Sequence, residues 1–212
     1  MLELPALVAF VPAAVAVVLV PGPDTMYAVS QSLGRGRRAG LVAGVGTATG
    51  VLVHTTVAVL GLAALLQTSV VAYSLVKYAG AAYLVYLGVQ SFRGDETFAV
   101  RPADVADDHS LVDSYRTALV VNVSNPKVAV FVLAFFPQFV SPSANATVQM
   151  SMLGVLYAGL SLCYLAGVAW FAGRVRRHLL ESATHRRLVR YLGGSVLLGF
   201  GLKLAVEGRP TG

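Results

Sequence analysis

Six apolar stretches dominate this chain, most of them at or beyond the ~20 residues that cross a bilayer as helix. They lie at about Leu4 to Leu33, Ala39 to Leu66, Val70 to Phe92, Ala118 to Val140, Val148 to Gly173 and Leu188 to Val206. Water is a poor solvent for such a chain: 56% of its 212 residues are apolar and 12% charged, roughly half the charged share of a soluble domain. Lipid offers the backbone no hydrogen-bond partners, so the stretches are expected to be helices of an all-α membrane protein. The first run carries Glu3 where a secretory signal carries Lys or Arg. It also outlasts a typical signal core, and so reads as a permanent span.

Charges in the connections orient the spans. Arg35, Arg37 and Arg38 lie between spans 1 and 2; Arg93, Arg101 and Arg116 between 3 and 4; Arg174, Arg176, Arg177, Arg186, Arg187 and Arg190 between 5 and 6. The alternate connections, around Gln67 to Ser69 and Ser141 to Thr147, hold neither Lys nor Arg. Basic loops stay in the cytoplasm, which places both termini outside a plasma or inner membrane. The stretch from Arg93 to Arg116 also carries Asp95, Glu96, Asp104, Asp107, Asp108 and Asp113. It reads as a solvated connector, with an acidic cation-collecting role as the alternative.

An internal repeat divides the chain into a first three-helix unit (1–95), a cytoplasmic linker (96–115) and a second three-helix unit (116–212). KYAGAAYLVYLG from Lys77 matches RYLGGSVLLGFG from Arg190, aligning Gly80 with Gly193, Leu84 with Leu197 and Gly88 with Gly201. Pro12 and Pro23 likewise align with Pro126 and Pro137. An odd number of spans per unit reverses the second unit, giving a 3+3 inverted repeat as in many secondary transporters.

Composition removes several classes. A net charge of +6 would suggest nucleic acid in a soluble chain, but topology accounts for these basic residues and no nucleic-acid partner is expected. The single Cys163 cannot build a disulfide or a multi-thiolate metal site. No phosphate-cradling loop, HExxH pair or nucleophile elbow occurs, so neither cofactor nor metal is expected, and no catalysis. Asn145-Ala146-Thr147 is a glycosylation triplet, a pattern frequent by chance.

The chemistry concentrates at two breaks. Pro21-Gly22-Pro23-Asp24 interrupts span 1 eleven residues before Arg35, roughly 16 Å along a helix and so near mid-bilayer. Two prolines remove two backbone donors and glycine permits the bend. Span 4 carries Asn122-Val123-Ser124-Asn125-Pro126-Lys127 at comparable depth. Polar groups there are costly unless they face one another or a wet cavity. Asp24 and Lys127 are therefore expected to approach, directly or through substrate and water. A helix starting after Pro23 offers free N–H groups to a carboxylate, while Asp24 and unwound carbonyls suit an ammonium: together, a zwitterion site. Pro21, Gly22, Pro23, Asp24, Asn122, Asn125, Pro126 and Lys127 are the candidate substrate-binding residues. Asp24, Lys127 and His54 are the candidates for proton coupling; His54 either relays a proton or donates to a neighbouring carbonyl.

Gly40 with Gly44 and Gly46 with Gly50 are small-xxx-small pairs suited to close helix packing. Lys77, Arg190 and Lys203 stand near span ends and are expected to snorkel. Tyr73, Tyr78, Tyr83, Tyr86 and Trp170 read as packing or interfacial anchors.

Taken together, PGPD followed by SLGRGRRAGLVAGVGTATGVLVH, then KYAGAAYLVYLG and NPKVAVFVLAFFPQFV, resembles the lysine exporter and homoserine/threonine exporter family (LysE/RhtB) from about Leu4 to Leu204. The resemblance implies a six-span inner-membrane exporter of amino acids driven by the proton motive force. It maps the family's first break to Pro21, Gly22 and Pro23, the second to Asn125, Pro126 and Lys127, and the glycine-rich helix start to Gly34, Arg35, Gly36 and Gly40. Members that export arginine or lysine carry further acids after the span-2 glycine pair and after the second break, where this chain has Val51 and Phe131. That favours a neutral substrate such as threonine, homoserine or leucine. The rival readings are a passive channel or cation and metal efflux protein of the same fold, and a membrane-embedded assembly partner whose glycine-rich faces form a homo-oligomer.

Overall fold

The computed structural model describes residues 2–68, 70–93, 110–141, 144–172, 174 and 183–206. Most of the 96–115 linker, and the side chains of Tyr73 and Arg190, lie outside them. The described residues form eight α-helices and no strand: α1 (Leu4–Leu19), α2 (Pro23–Arg35), α3 (Arg37–Thr68), α4 (Val70–Arg93), α5 (Leu111–Val123), α6 (Pro126–Val130), α7 (Ala146–Trp170) and α8 (Ala183–Val206). After α6 the backbone widens into a π-helical turn, Phe131–Phe135, and then tightens into a 3-10 turn, Phe136–Phe139.

Two stretches, Arg37–Gly61 and Ala146–Trp170, are long and apolar enough to cross a membrane unbroken. Two further spans arise if each bent pair counts as one: α1 with α2, and α5 with Pro126–Phe139, each bent by 55°. The first break follows from sequence. Val20 and Gly22 are extended, Pro23 opens α2, and Gly22 brings no side chain to cap it. At the second break Pro126 opens α6, and the Asn125 side chain accepts from the Lys127 amide at 3.1 Å. α2 ends at Gly36, whose φ of 86° is the left-handed conformation that glycine alone adopts without strain.

The proline alignment does not equate the two breaks. Pro23 and Pro126 each start a helix, whereas their aligned partners Pro137 and Pro12 lie in the 3-10 turn and inside α1. Span boundaries shift as well: α5 begins at Leu111 and α8 at Ala183, earlier than the apolar runs suggest. For α5 the cause is a capping box. Ser110 Oγ accepts from the Asp113 amide, and the Asp113 carboxylate accepts from the Ser110 amide. The helix therefore starts in polar sequence that hydropathy cannot register.

α3 packs between α5 and α7. Gly40 and Gly44 face Ala169 and Leu165 of α7, whereas Gly46 and Gly50 face Tyr115, Ala118 and Asn122 of α5. An aromatic cluster joins α1, the π and 3-10 turns and α7: Phe10 meets Phe131, Phe136 and Phe139, and Phe131 meets Tyr157 at 4.9 Å. α4 and α8 pack along each other. Outward faces are apolar, with Val8, Leu60, Val71, Val155 and Leu202 all more than half exposed, as a lipid-facing surface requires. Tyr78, Tyr86 and Trp170 also face outward. Lys77 departs from the snorkelling expectation: it is 5% exposed, inside the helix packing, because its position on α4 faces the bundle rather than the rim.

Candidate functional site

The two breaks come together around a small cavity. Asp24 and Thr25 enter from the first turn of α2, Asn122 from the end of α5, and Lys127 from α6. Tyr157, Ser161 and Tyr164 enter from α7, while Val18, Val51, Val128 and Leu165 supply apolar wall. The space holds about one water, so a larger guest requires movement at the breaks.

Lys127 is buried and turned inward. Its ammonium donates to the Val20 carbonyl at 2.8 Å and the Val17 carbonyl at 3.3 Å. These are carbonyls of the last turn of α1 and its exit, freed because the chain breaks before Pro23. A cation at a helix C-terminus also meets the negative end of its dipole. No salt bridge joins Lys127 to Asp24; both instead reach the point beside Gly22. A Cβ added at Gly22 would sit 2.8 Å from the Asp24 carboxylate and 3.1 Å from Lys127 Nζ. Asp24 accepts from Asn125 Nδ2 at 3.4 Å, so the second break steers the acid of the first.

Asn122 is fully buried, and neither its Oδ1 nor its Nδ2 has a hydrogen-bond partner. Its backbone carbonyl accepts from His54 Nε2 at 3.2 Å. Of the two readings of His54, the structure therefore has it bonded to a carbonyl on a neighbouring helix.

Of the sequence candidates, Asp24, Asn122 and Lys127 line the cavity. Pro21, Gly22, Pro23, Asn125 and Pro126 build the breaks behind it, and His54 lies outside the lining. Val51 is part of the wall, whereas Phe131 is buried in the aromatic cluster. The α7 residues and Thr25 escaped sequence reading because a Ser, Thr or Tyr in an apolar helix carries no distinctive signal. The spacing of Tyr157, Ser161 and Tyr164 along one helix face was the available hint.

A polar network joins α2 to α5 toward the Arg35 end. Arg35 donates to Ser114 Oγ at 2.8 Å, and Ser114 donates to Gln31 Oε1 at 3.0 Å. Arg37 stacks 3.8 Å from the Trp170 ring centre. Far along the chain, buried Gln149 pairs with both backbone groups of Ser141 at 3.0 Å, closing the turn before α7.

Similarity to known proteins agrees with this architecture. The family described as LysE type translocator matches residues 15–208. The leucine efflux protein of Salmonella typhimurium is 30% identical over 91% of each chain. The homoserine/homoserine lactone efflux protein of Salmonella typhi is 31% identical over 85% of this chain and 86% of its own length. The membrane protein YrhP of Bacillus subtilis is 30% identical over 95% of this chain and 99% of its own. No solved structure matches. On a match that covers most of its length, the chain belongs to the LysE-type translocator family, and is a membrane protein.

Proposed function

We propose that this protein exports neutral amino acids across the cell membrane, coupled to the proton motive force. The observation that carries the reading is Asn122: a carboxamide with both polar atoms unpaired, in a cavity flanked by one acid and one base. Such a group is costly unless a guest completes it. An amino-acid zwitterion offers both a donor and an acceptor. Its carboxylate suits the uncapped start of α2 and Lys127, and its ammonium suits Asp24. Asp24 is the sole acid in the wall among the described residues, so a second cation on the substrate would lack a counter-charge. That favours leucine, threonine or homoserine over lysine, and the names of the efflux relatives agree.

The proposed arrangement is six spans in a 3+3 inverted repeat, with α4 and α8 as third and sixth. Reciprocal contacts support it. A Cβ at Gly88 would meet Leu198 and the Gly194 carbonyl; at Gly201 it would meet Val85 and the Ala81 carbonyl. Under the alignment of Gly88 with Gly201 these contacts are the same pair seen from either unit, as a twofold axis requires. Arg35 reaches Ser110 and Arg37 reaches Trp170, so the three basic connections share one end, read as cytoplasmic with both termini outside. Export then follows from rocking one unit against the other, with Asp24 and Lys127 exchanging protons as substrate comes and goes. His54 holds the backbone beneath Asn122.

Everted vesicles supplied with a panel of radiolabelled amino acids test this. Uptake of neutral amino acids should collapse with a protonophore, and Asp24→Asn and Lys127→Ala should abolish it at normal membrane abundance. Uptake retained by both variants would remove the assigned site; indifference to the protonophore would remove the coupling.

A further inference from the structure

The cavity is closed differently toward its two ends. Toward the Leu4 end of α1 stand packed rings, Phe10 against Phe136 and Phe139 and Phe131 against Tyr157. Toward the Arg35 end comes first a thin buried layer of Tyr27, Ala28, Ala43, Ala118 and Leu165. Beyond it a hydrogen-bonded trio crosses from α2 to α5. Ser114 Oγ donates to Gln31 Oε1 at 3.0 Å, and Arg35 donates to Ser114 Oγ at 2.8 Å, to Gln31 Oε1 at 3.4 Å and to the Ser110 carbonyl at 3.5 Å. Gln31 and Ser114 are buried, seven and eight residues from Asp24 and Asn122 on their own helices, roughly two turns toward the surface. Arg35 is partly exposed and carries the trio out to solvent. A helical serine commonly satisfies its hydroxyl on a carbonyl of its own helix, as Ser32 does on Ala28 at 2.7 Å. Ser114 gives its proton to another helix instead.

We propose that Gln31, Arg35 and Ser114 form a latch that closes the cytoplasmic mouth of the cavity and parts when substrate is loaded. This rests on the export reading and the topology above and adds a gate to them. α2 belongs to the first three-helix unit and α5 leads into the second, so the trio ties together the two bodies that must rock. Each bond in it joins groups that water can satisfy, and Arg35 already reaches solvent, so the latch opens without stranding a polar group. The rings at the opposite end have no such substitute, because parting them exposes apolar surface to water. The cytoplasmic closure is therefore the readier of the two to open, as the loading of an exporter requires. Removing a bond of the latch shifts the resting population toward the state open to the cytoplasm, whatever the substrate.

A thiol in the cavity wall reports on the mouth. With the exposed Cys163 replaced by serine, Val51→Cys places one thiol in the wall. Everted and right-side-out vesicles carrying this protein are treated with a membrane-impermeant thiol reagent. Gln31→Leu and Ser114→Ala should each speed labelling from the cytoplasmic face roughly three- to tenfold, the shift that one net hydrogen bond carries. Labelling from the external face should not rise. Ser32→Ala, which removes a hydroxyl bonded within α2, should leave both rates as they were. Acceleration from both faces alike would mark the trio as packing and overturn the latch. Rates unchanged in both latch variants, or raised from the external face alone, would overturn it too. Labelling needs no amino acid, so these outcomes leave export standing. Vesicles of the unsubstituted protein that accumulate no amino acid at all would instead remove the export reading on which the latch rests.

Discussion

Under the proposed function, Asn122 sets stability against transport at the scale of one side chain. Each unpaired buried polar atom disfavours the folded state by about 1–3 kcal/mol, and Asn122 has two. Leucine has a similar length and needs no partner. Asn122→Leu should therefore raise the melting temperature in detergent by several degrees while eliminating transport. A variant that melts lower, or still transports, would show that the carboxamide is already satisfied. Lys127 and Asp24 were legible in sequence because charge at mid-span is rare enough to need a reason. Their present partners were not: Lys127 lies on the carbonyls of Val17 and Val20, a pairing that depends on where a distant helix happens to end.

At the scale of elements, the breaks were readable because proline and glycine act through local sterics, and the glycine pairs of α3 because small residues permit close approach. What sequence withheld was which neighbour each pair meets. A Cβ at Gly46 would collide with the Tyr115 carbonyl and Ala118 of α5, whereas at Gly61 and Gly159 it would meet nothing within 4 Å among the described residues. Gly46→Ala should accordingly cost roughly 1–3 kcal/mol as α3 and α5 separate. Gly61→Ala and Gly159→Ala should be neutral or stabilising by up to about 1 kcal/mol through helix propensity alone. Thermal unfolding of the three purified variants in detergent checks the contrast; equal losses would mean that the α3–α5 contact is slack. The Arg35, Ser114 and Gln31 network belongs to the same level. Its residues lie 79 and 83 positions apart in sequence, so only the packing of α2 on α5 brings them together.

For the molecule as a whole, the proposed topology predicts a parity. Reporter fusions after residues 36, 93 and 174 should read as cytoplasmic, and those after 67 and 142 and at the C-terminus as external. Inversion of the pattern would reverse the orientation, and a C-terminal fusion reading as cytoplasmic would remove one span from the count.

By itself the sequence determined the solvent, the helical class, the two helix breaks and the residues that make them. Each of these follows from interactions within a few residues, or from the free energy of placing a side chain in lipid. The tertiary structure alone decided that both breaks border one cavity, that Asn122 is left unpaired there, and that α7 adds Ser161 and Tyr164 to its wall. Those facts depend on how separate helices rotate and cross, and no local periodicity encodes the side on which one helix meets another.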